Sequence, residues 1–397
     1  MSGTALRTRS ASNPTAAIVY TRDPDSEGVL RQALHDLSHD TVVFRTGGLR
    51  NAIADLPGHD SPSLLVVDIC GESDPIDRVR ELIDTCEPAT RVLVLGDQND
   101  IRLFRALLDA GASEYLFKPV VSAVAARVCR KLLFGDAAIG ATRLGRLVYV
   151  VGARGGSGAS TIAAALASTL SEAPPRPVVL LDLDLQGGDL ALSLNAQPNS
   201  ALRAALTQAD RVDDLLLDRG LIQITDRLDL LGSLDPLDSS PALDEDALIA
   251  LLDRVTRRYR YVVVEIPPHA AAGLKRVLHM PSTLVLVSDS RLASARDVAR
   301  WRACVGENTA ERGLVHVLNR AGAAGGLPLA DFTKAAGHAP DLVIPYAREI
   351  ADQALTGRQG PPAGALAKGV QPLAAMLGGE SVAAARRPQS LLKRMLG

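Results

Sequence analysis

The sequence predicts an α/β protein made of two doubly wound parallel-sheet domains in tandem. Three observations predict this. Short apolar runs alternate with amphipathic segments along most of the 397 residues. The alternation lapses across a Gly/Ala-containing stretch at 135–145 and then resumes on a larger scale. Buried strands followed by helix-length amphipathic segments are the pattern of a parallel sheet with crossover helices.

Taken in order, the first set of strands is expected at Ala16–Tyr20, Thr41–Phe44, Leu64–Asp68, Arg91–Leu95 and Glu114–Phe117. Helical patterns fall between them at Val29–Leu37, Ile76–Ile83 and Ile101–Ala110, and Val121–Phe134 closes the set. In the second half, strands are expected at Leu147–Val151, Val178–Asp182, Leu228–Leu231, Tyr261–Ile266, Thr283–Ser288, Leu314–Asn319 and Leu342–Ile344. Thr161–Ser171, Asp244–Tyr259 and Ala293–Val305 are the accompanying helices, and the sheet is again read as a parallel α/β sheet. The resulting division is a tail at 1–14, a domain at 15–135, a linker at 136–145, a domain at 146–358 and a Gly/Pro/Ala-rich tail at 359–397.

Composition narrows the function. Hydrophobic residues make up 47% and charged residues 22%, which excludes a mainly disordered or fibrous chain. Aromatics are 3%, so the cores must be built from Ala, Val, Leu and Ile. Forty-three basic residues against 45 acidic ones give a net charge of −2, which excludes a strong overall field toward DNA or a membrane. Cys70, Cys86, Cys129 and Cys304 stand far apart with no metal-ligand spacing, and read as reduced thiols of a cytoplasmic protein. No apolar run approaches the ~18–20 residues that span a bilayer. Met1–Pro14 has no apolar stretch of the kind a secretory signal needs.

The most informative segment is Val148–Leu170, VYVVGARGGSGASTIAAALASTL. A buried strand runs into a glycine-rich turn and then a helix, which is the context of a phosphate-binding loop. Gly155, Gly156 and Gly158 let backbone N–H groups converge on an anion, and the helix N-terminus adds partial positive charge. Ser160 stands where a hydroxyl would ligate Mg²⁺, with Ser157, Ala159 and Thr161 completing the loop. Against the pattern GxxxxGK[ST], Ala153 replaces the first glycine and Ala159 the lysine. No lysine occurs between Lys131 and Lys275, and the nearest cation in sequence is Arg154. A hydrogen bond to a charged group contributes about 1.5–3 kcal/mol, so its loss weakens binding roughly 10- to 150-fold without abolishing it. Turnover is expected to suffer more, because that lysine stabilises charge developing on the transferred phosphoryl group.

The loop resembles the deviant Walker A motif of the ParA/MinD superfamily, KGGxGK[ST], with Arg154 at the signature-lysine position. The form ARGGSGAST resembles the CpaE/TadZ family of Tad-type pilus assembly proteins. The resemblance covers Arg146–Arg358 and implies an ATP- and Mg²⁺-binding domain that dimerises around nucleotide, with Arg154 reaching the partner's phosphates. VVLLDLDLQGGDLALSL (Val178–Leu194) resembles the superfamily's DxD segment. That likeness implies that Asp184 orients the attacking water and Asp182 supports the Mg²⁺ shell; the lesser alternative is a pair of solvated turn carboxylates. YRYVVVEIPP (Tyr259–Pro268) is similar to a Walker B strand, which puts Glu265 by the Mg²⁺-bound water, one methylene longer than the usual Asp. LVHVLNR (Leu314–Arg320) makes Asn319 the candidate adenine contact.

Ala16–Phe134 resembles a response-regulator receiver, with the flavodoxin-like fold that implies. Asp68 ends the third strand at the phospho-acceptor position, and Lys118-Pro119 follows the fifth. Acceptor chemistry needs Mg²⁺ held by carboxylates after the first strand. There the acidic pair falls on Thr21 and Arg22, with Asp23 or Asp25 as partial replacements. The domain is therefore read as a docking or dimerising module.

The end of the chain, ARRPQSLLKRMLG, places Leu391, Leu392, Met395 and Leu396 on one helical face beside Arg386, Arg387, Lys393 and Arg394. This resembles the membrane-targeting tail of MinD, and is read either as a weak membrane contact or as a frayed or docked terminus. Arg254, Arg257 and Arg258 read as a solvated helix face. Together the resemblances imply a cytoplasmic homodimer, peripheral to the inner membrane at the cell pole, that positions pilus machinery. Its implied partners are the pilus secretion ATPase and other Tad components, and not nucleic acid. The alternative is an active ParA-type partition ATPase that binds DNA.

Overall fold

The structure is a computed structural model. It describes residues 16–35, 37, 41–56, 61–134, 143–172, 174–207, 213–236, 238, 243–348 and 364–378. The N-terminal tail, most of the linker and the basic C-terminal tail lie outside these residues. The chain divides into two compact units, each built around one sheet.

The front unit runs β1 (Ala17–Thr21), α1 (Pro24–His35), β2 (Val42–Thr46), α2 (Leu49–Asp55), β3 (Leu64–Asp68), α3 (Pro75–Thr85), β4 (Arg91–Gly96), α4 (Ile101–Asp109), β5 (Glu114–Phe117) and α5 (Ser122–Phe134). Its strands are all parallel in the order β2-β1-β3-β4-β5. That is the flavodoxin-like order. β1 and β3 are buried along their length because both faces are covered. Ile18, Tyr20, Leu65 and Val67 face one core, and Ala17, Val19, Leu64 and Val66 face the other. This is the period-two alternation of a strand with a helix layer on each side.

Around the second sheet run β6 (Arg146–Gly152), α6 (Ala159–Glu172), β7 (Val178–Asp182), α7 (Leu190–Ser193), α8 (Ala201–Thr207), α9 (Asp214–Gly220), β8 (Ile222–Gln223), β9 (Leu228–Leu231), α10 (Glu245–Arg258), β10 (Tyr261–Ile266), α11 (Lys275–Leu278), β11 (Ser282–Ser288), α12 (Leu292–Val305), β12 (Arg312–Ala321), α13 (Leu329–Ala336), β13 (Leu342–Pro345) and α14 (Ala365–Gly378). The strand order is β13-β12-β11-β6-β10-β7-β9-β8. Strand succession reverses at β6, between β11 and β10. That reversal is the switch point at which open α/β sheets bind ligands beyond the carboxyl ends of their strands.

Two features depart from the sequence reading. The sheet is not wholly parallel, because the two-residue edge strand β8 runs antiparallel to β9. The stretch 359–397, expected as a tail, contains α14. Leu366, Val370, Leu373 and Leu377 of α14 share one core with Ile162, Leu166 and Leu170 of α6. The alanines of α6 let this second helix approach its outer face, so Ile162–Ser168 and Leu170 are all buried.

Candidate functional site

The loop 153–158 leaves β6 at the switch point and enters α6. Gly156 (φ +77°) and Gly158 (φ +90°) occupy the left-handed region that glycine alone adopts without penalty. At Gly158 there is a second constraint: a Cβ would collide with the Asn319 side-chain amide. Nothing lies within 4 Å of where a Cβ on Gly155 or Gly156 would project. Among the described residues, the N–H groups of Gly155, Gly156 and Gly158 have no hydrogen-bond partner. The buried Ser157 hydroxyl has none either. Unpaired donors gathered at a helix N-terminus form an anion site.

Beside the loop, the register of β10 on β7 places Glu265 next to Asp182. The Ser160 hydroxyl, in the first turn of α6, donates to Glu265 Oε1 at 2.7 Å. Asp182 Oδ1 accepts the Asp184 N–H at 3.0 Å, and Asp184 Oδ1 accepts the Gly187 N–H at 2.9 Å. Burial raises the Asp182 carboxyl to about 7. Burial, with the Asp182 charge adding to it, raises Glu265 to about 8. A hydroxyl and two carboxylates that resist ionisation together are an oxygen donor set fitted to a hard divalent cation. Among the described residues, no three or more His, Cys, Asp and Glu side chains gather as a metal site. Mg²⁺ characteristically binds through one or two carboxylates completed by substrate phosphates, so these residues fit the ion as a companion of nucleotide.

The structure therefore brings Gly155, Gly156, Ser157, Gly158, Ala159, Ser160 and Thr161 together with Asp182, Asp184 and Glu265 at one end of the sheet. Arg154 is half-buried, and its guanidinium makes no hydrogen bond or ion pair among the described residues. Asn319, at the end of β12, turns toward the loop and donates from Nδ2 to the Ser157 carbonyl at 3.0 Å. Sequence reasoning missed one residue. Arg154 is the nearest cation in sequence, yet Arg320 Nη1 donates to the Gly156 carbonyl at 3.1 Å.

The receiver-like position is also formed. Lys118 Nζ lies 2.6 Å from Asp68 Oδ2 and 3.6 Å from Asp23 Oδ2. The Thr21 hydroxyl donates to Asp68 at 3.3 Å. Although burial opposes it, the Lys118 contact and the Cys70 N–H hold the Asp68 carboxyl below its ordinary value. Asp23 is engaged with Ser26 and the Asp25 N–H at the start of α1.

No family model matches the chain, and no curated protein matches it. Among solved structures, a ParA family ATPase from Chlorobium tepidum TLS is 24% identical, covers 59% of this chain and 99% of its own, and superposes with a TM-score of 0.51. MinD from Pyrococcus horikoshii OT3, solved with Mg-ADP, is 21% identical over 59% of this chain and 98% of its own, with a TM-score of 0.47. The pilus assembly protein CpaE from Caulobacter crescentus CB15 is 30% identical over 30% of this chain and 95% of its own, with a TM-score of 0.28. Among the described residues no helix is long and apolar enough to cross a membrane.

Proposed function

We propose that this chain, a CpaE-like protein with a ParA/MinD-type P-loop fold, binds ATP with Mg²⁺ and acts as a position marker for pilus assembly machinery, with weak or no turnover of its own. One observation supports this above the rest: the N–H groups of Gly155, Gly156 and Gly158, unpaired among the described residues, stand at the switch point beside the Ser160, Asp182 and Glu265 oxygens.

In this reading the loop amides bind the phosphates, and Ser160, Asp182 and Glu265 hold the Mg²⁺. The ion, when bound, neutralises phosphate charge. Asp184 would orient a water, and Asn319, which lies against the loop, would contact adenine. Ala159 offers no ammonium to charge that builds on a departing phosphoryl group, so the site favours occupancy over turnover. The Arg154 side chain, with no partner in its own chain among the described residues, is available to the phosphates of a second copy. A guanidinium suits that role because it is always charged and binds phosphate bidentately. The localising role, with the pilus secretion ATPase as partner and the cell pole as destination, rests on the ARGGSGAST loop and the receiver-like front unit.

Calorimetry with ATP·Mg²⁺ alongside solution mass tests the dimer. Wild type is expected to bind nucleotide and to double its mass when saturated. Arg154→Ala is expected to weaken both effects, binding by roughly 10-fold or more. An Arg154→Ala protein that binds and dimerises like wild type would contradict the trans role.

A further inference from the structure

We propose that Arg320 supplies, within one chain, the positive charge that residue 159 no longer provides, and that its guanidinium contacts the phosphates of the bound nucleotide. This rests on the nucleotide-binding reading above.

Three independent observations converge on Arg320. The first is contact: Nη1 sits 3.1 Å from the Gly156 carbonyl, on the phosphate loop itself. A guanidinium has five N–H donors in a planar fork. Beyond that one contact, Arg320's guanidinium has no partner among the described residues, and the residue is exposed. It can hold the loop with one edge and present the other outward.

The second is the backbone. Arg320 has φ +55°, a left-handed conformation that residues with a side chain seldom take. Its own N–H is tied to Asn319 Oδ1 at 2.9 Å, and Asn319 is in turn tied to Ser157 of the loop. Strain of this sort persists where surrounding contacts enforce it, and it gathers at functional sites.

The third is register. The pairing of β12 with β13 is interrupted between Leu318 and Ala321. Such an irregularity re-aims side chains beside sites, and here residues 319 and 320 both meet the loop. The loop that receives this arginine is one whose stretch of chain has no lysine from residue 132 to residue 274.

The test compares full-length wild type, Arg320→Gly and Arg320→Lys by calorimetric titration with ATP·Mg²⁺ and ADP·Mg²⁺ at low and high NaCl. Glycine removes the guanidinium while easing the left-handed backbone, so the nucleotide-free melting temperature is expected to hold or rise. Arg320→Gly is expected to weaken ATP binding ~10- to 100-fold and to flatten its salt dependence, with Arg320→Lys recovering part of both. Wild-type affinity in Arg320→Gly overturns the proposal. So does a loss that leaves the salt dependence unchanged, because the arginine would then only shape the loop. Wild type that binds neither nucleotide overturns the underlying reading as well, and so the two failures are told apart.

Discussion

Glu265 is a carboxylate in a dry place, one bond from a hydroxyl and one strand from Asp182. Its proton affinity is raised from 4.5 in the unfolded chain to about 8 in the fold. The stability that this proton contributes is complete below the unfolded value and is lost as pH rises through about 8. Metal- and nucleotide-free protein is therefore expected to melt at progressively lower temperature from pH 5 to pH 8. Glu265→Gln keeps an acceptor for Ser160 and removes the charge. It should melt ~5 °C or more above wild type at pH 8 and level with it at pH 5. A variant that melts lower than wild type at pH 8 would show that the ionised carboxylate stabilises the fold. Ser160, Asp182 and Glu265 were legible in the sequence because strand ends and a helix start fix their places. Arg320 was not: its contact depends on a positive φ and a register break, which hydrophobic periodicity does not record.

Among the elements, α6 left a clue that the strand count overlooked. Its sequence, ASTIAAALASTLSE, is apolar nearly all round, and a helix of that kind is buried on more than one side. The sheet covers one side, and α14 covers another. The second cover was hard to see because the stretch before α14 is rich in glycine and proline and because Pro372 lies inside the helix itself. The longer alternating segments, β6 to β7 and β10 to β12, were plain for the opposite reason: each buries an unbroken apolar run. Leu373 is fully buried in the core that α6 and α14 share. Leu373→Ala should cost about 2–5 kcal/mol and lower the melting midpoint by roughly 5–15 °C. Thermal denaturation of the full chain measures this, and a variant that melts with wild type would mean that α14 only lies on the surface.

Across the whole molecule, two sheets present their switch points in different chemical states. In the front unit the position between β1 and β3 is closed upon itself, with Lys118, Thr21 and Asp68 joined in contact. In the second, the N–H groups of Gly155, Gly156 and Gly158 are without partners among the described residues and the carboxylates are crowded. The tandem α/β architecture was legible from alternation alone, whereas this difference in state appears only once the side chains are placed. The central claim is that main-chain donors and a helix terminus hold a triphosphate in the absence of the customary lysine. Titrating wild type and Ala159→Lys with ATP·Mg²⁺ tests it most directly. The account predicts saturable binding to wild type, tightened roughly 10- to 150-fold when the ammonium is restored. Binding by Ala159→Lys with none by wild type would contradict it, because the loop and the arginine beside it would then be unable to hold the nucleotide without the lysine.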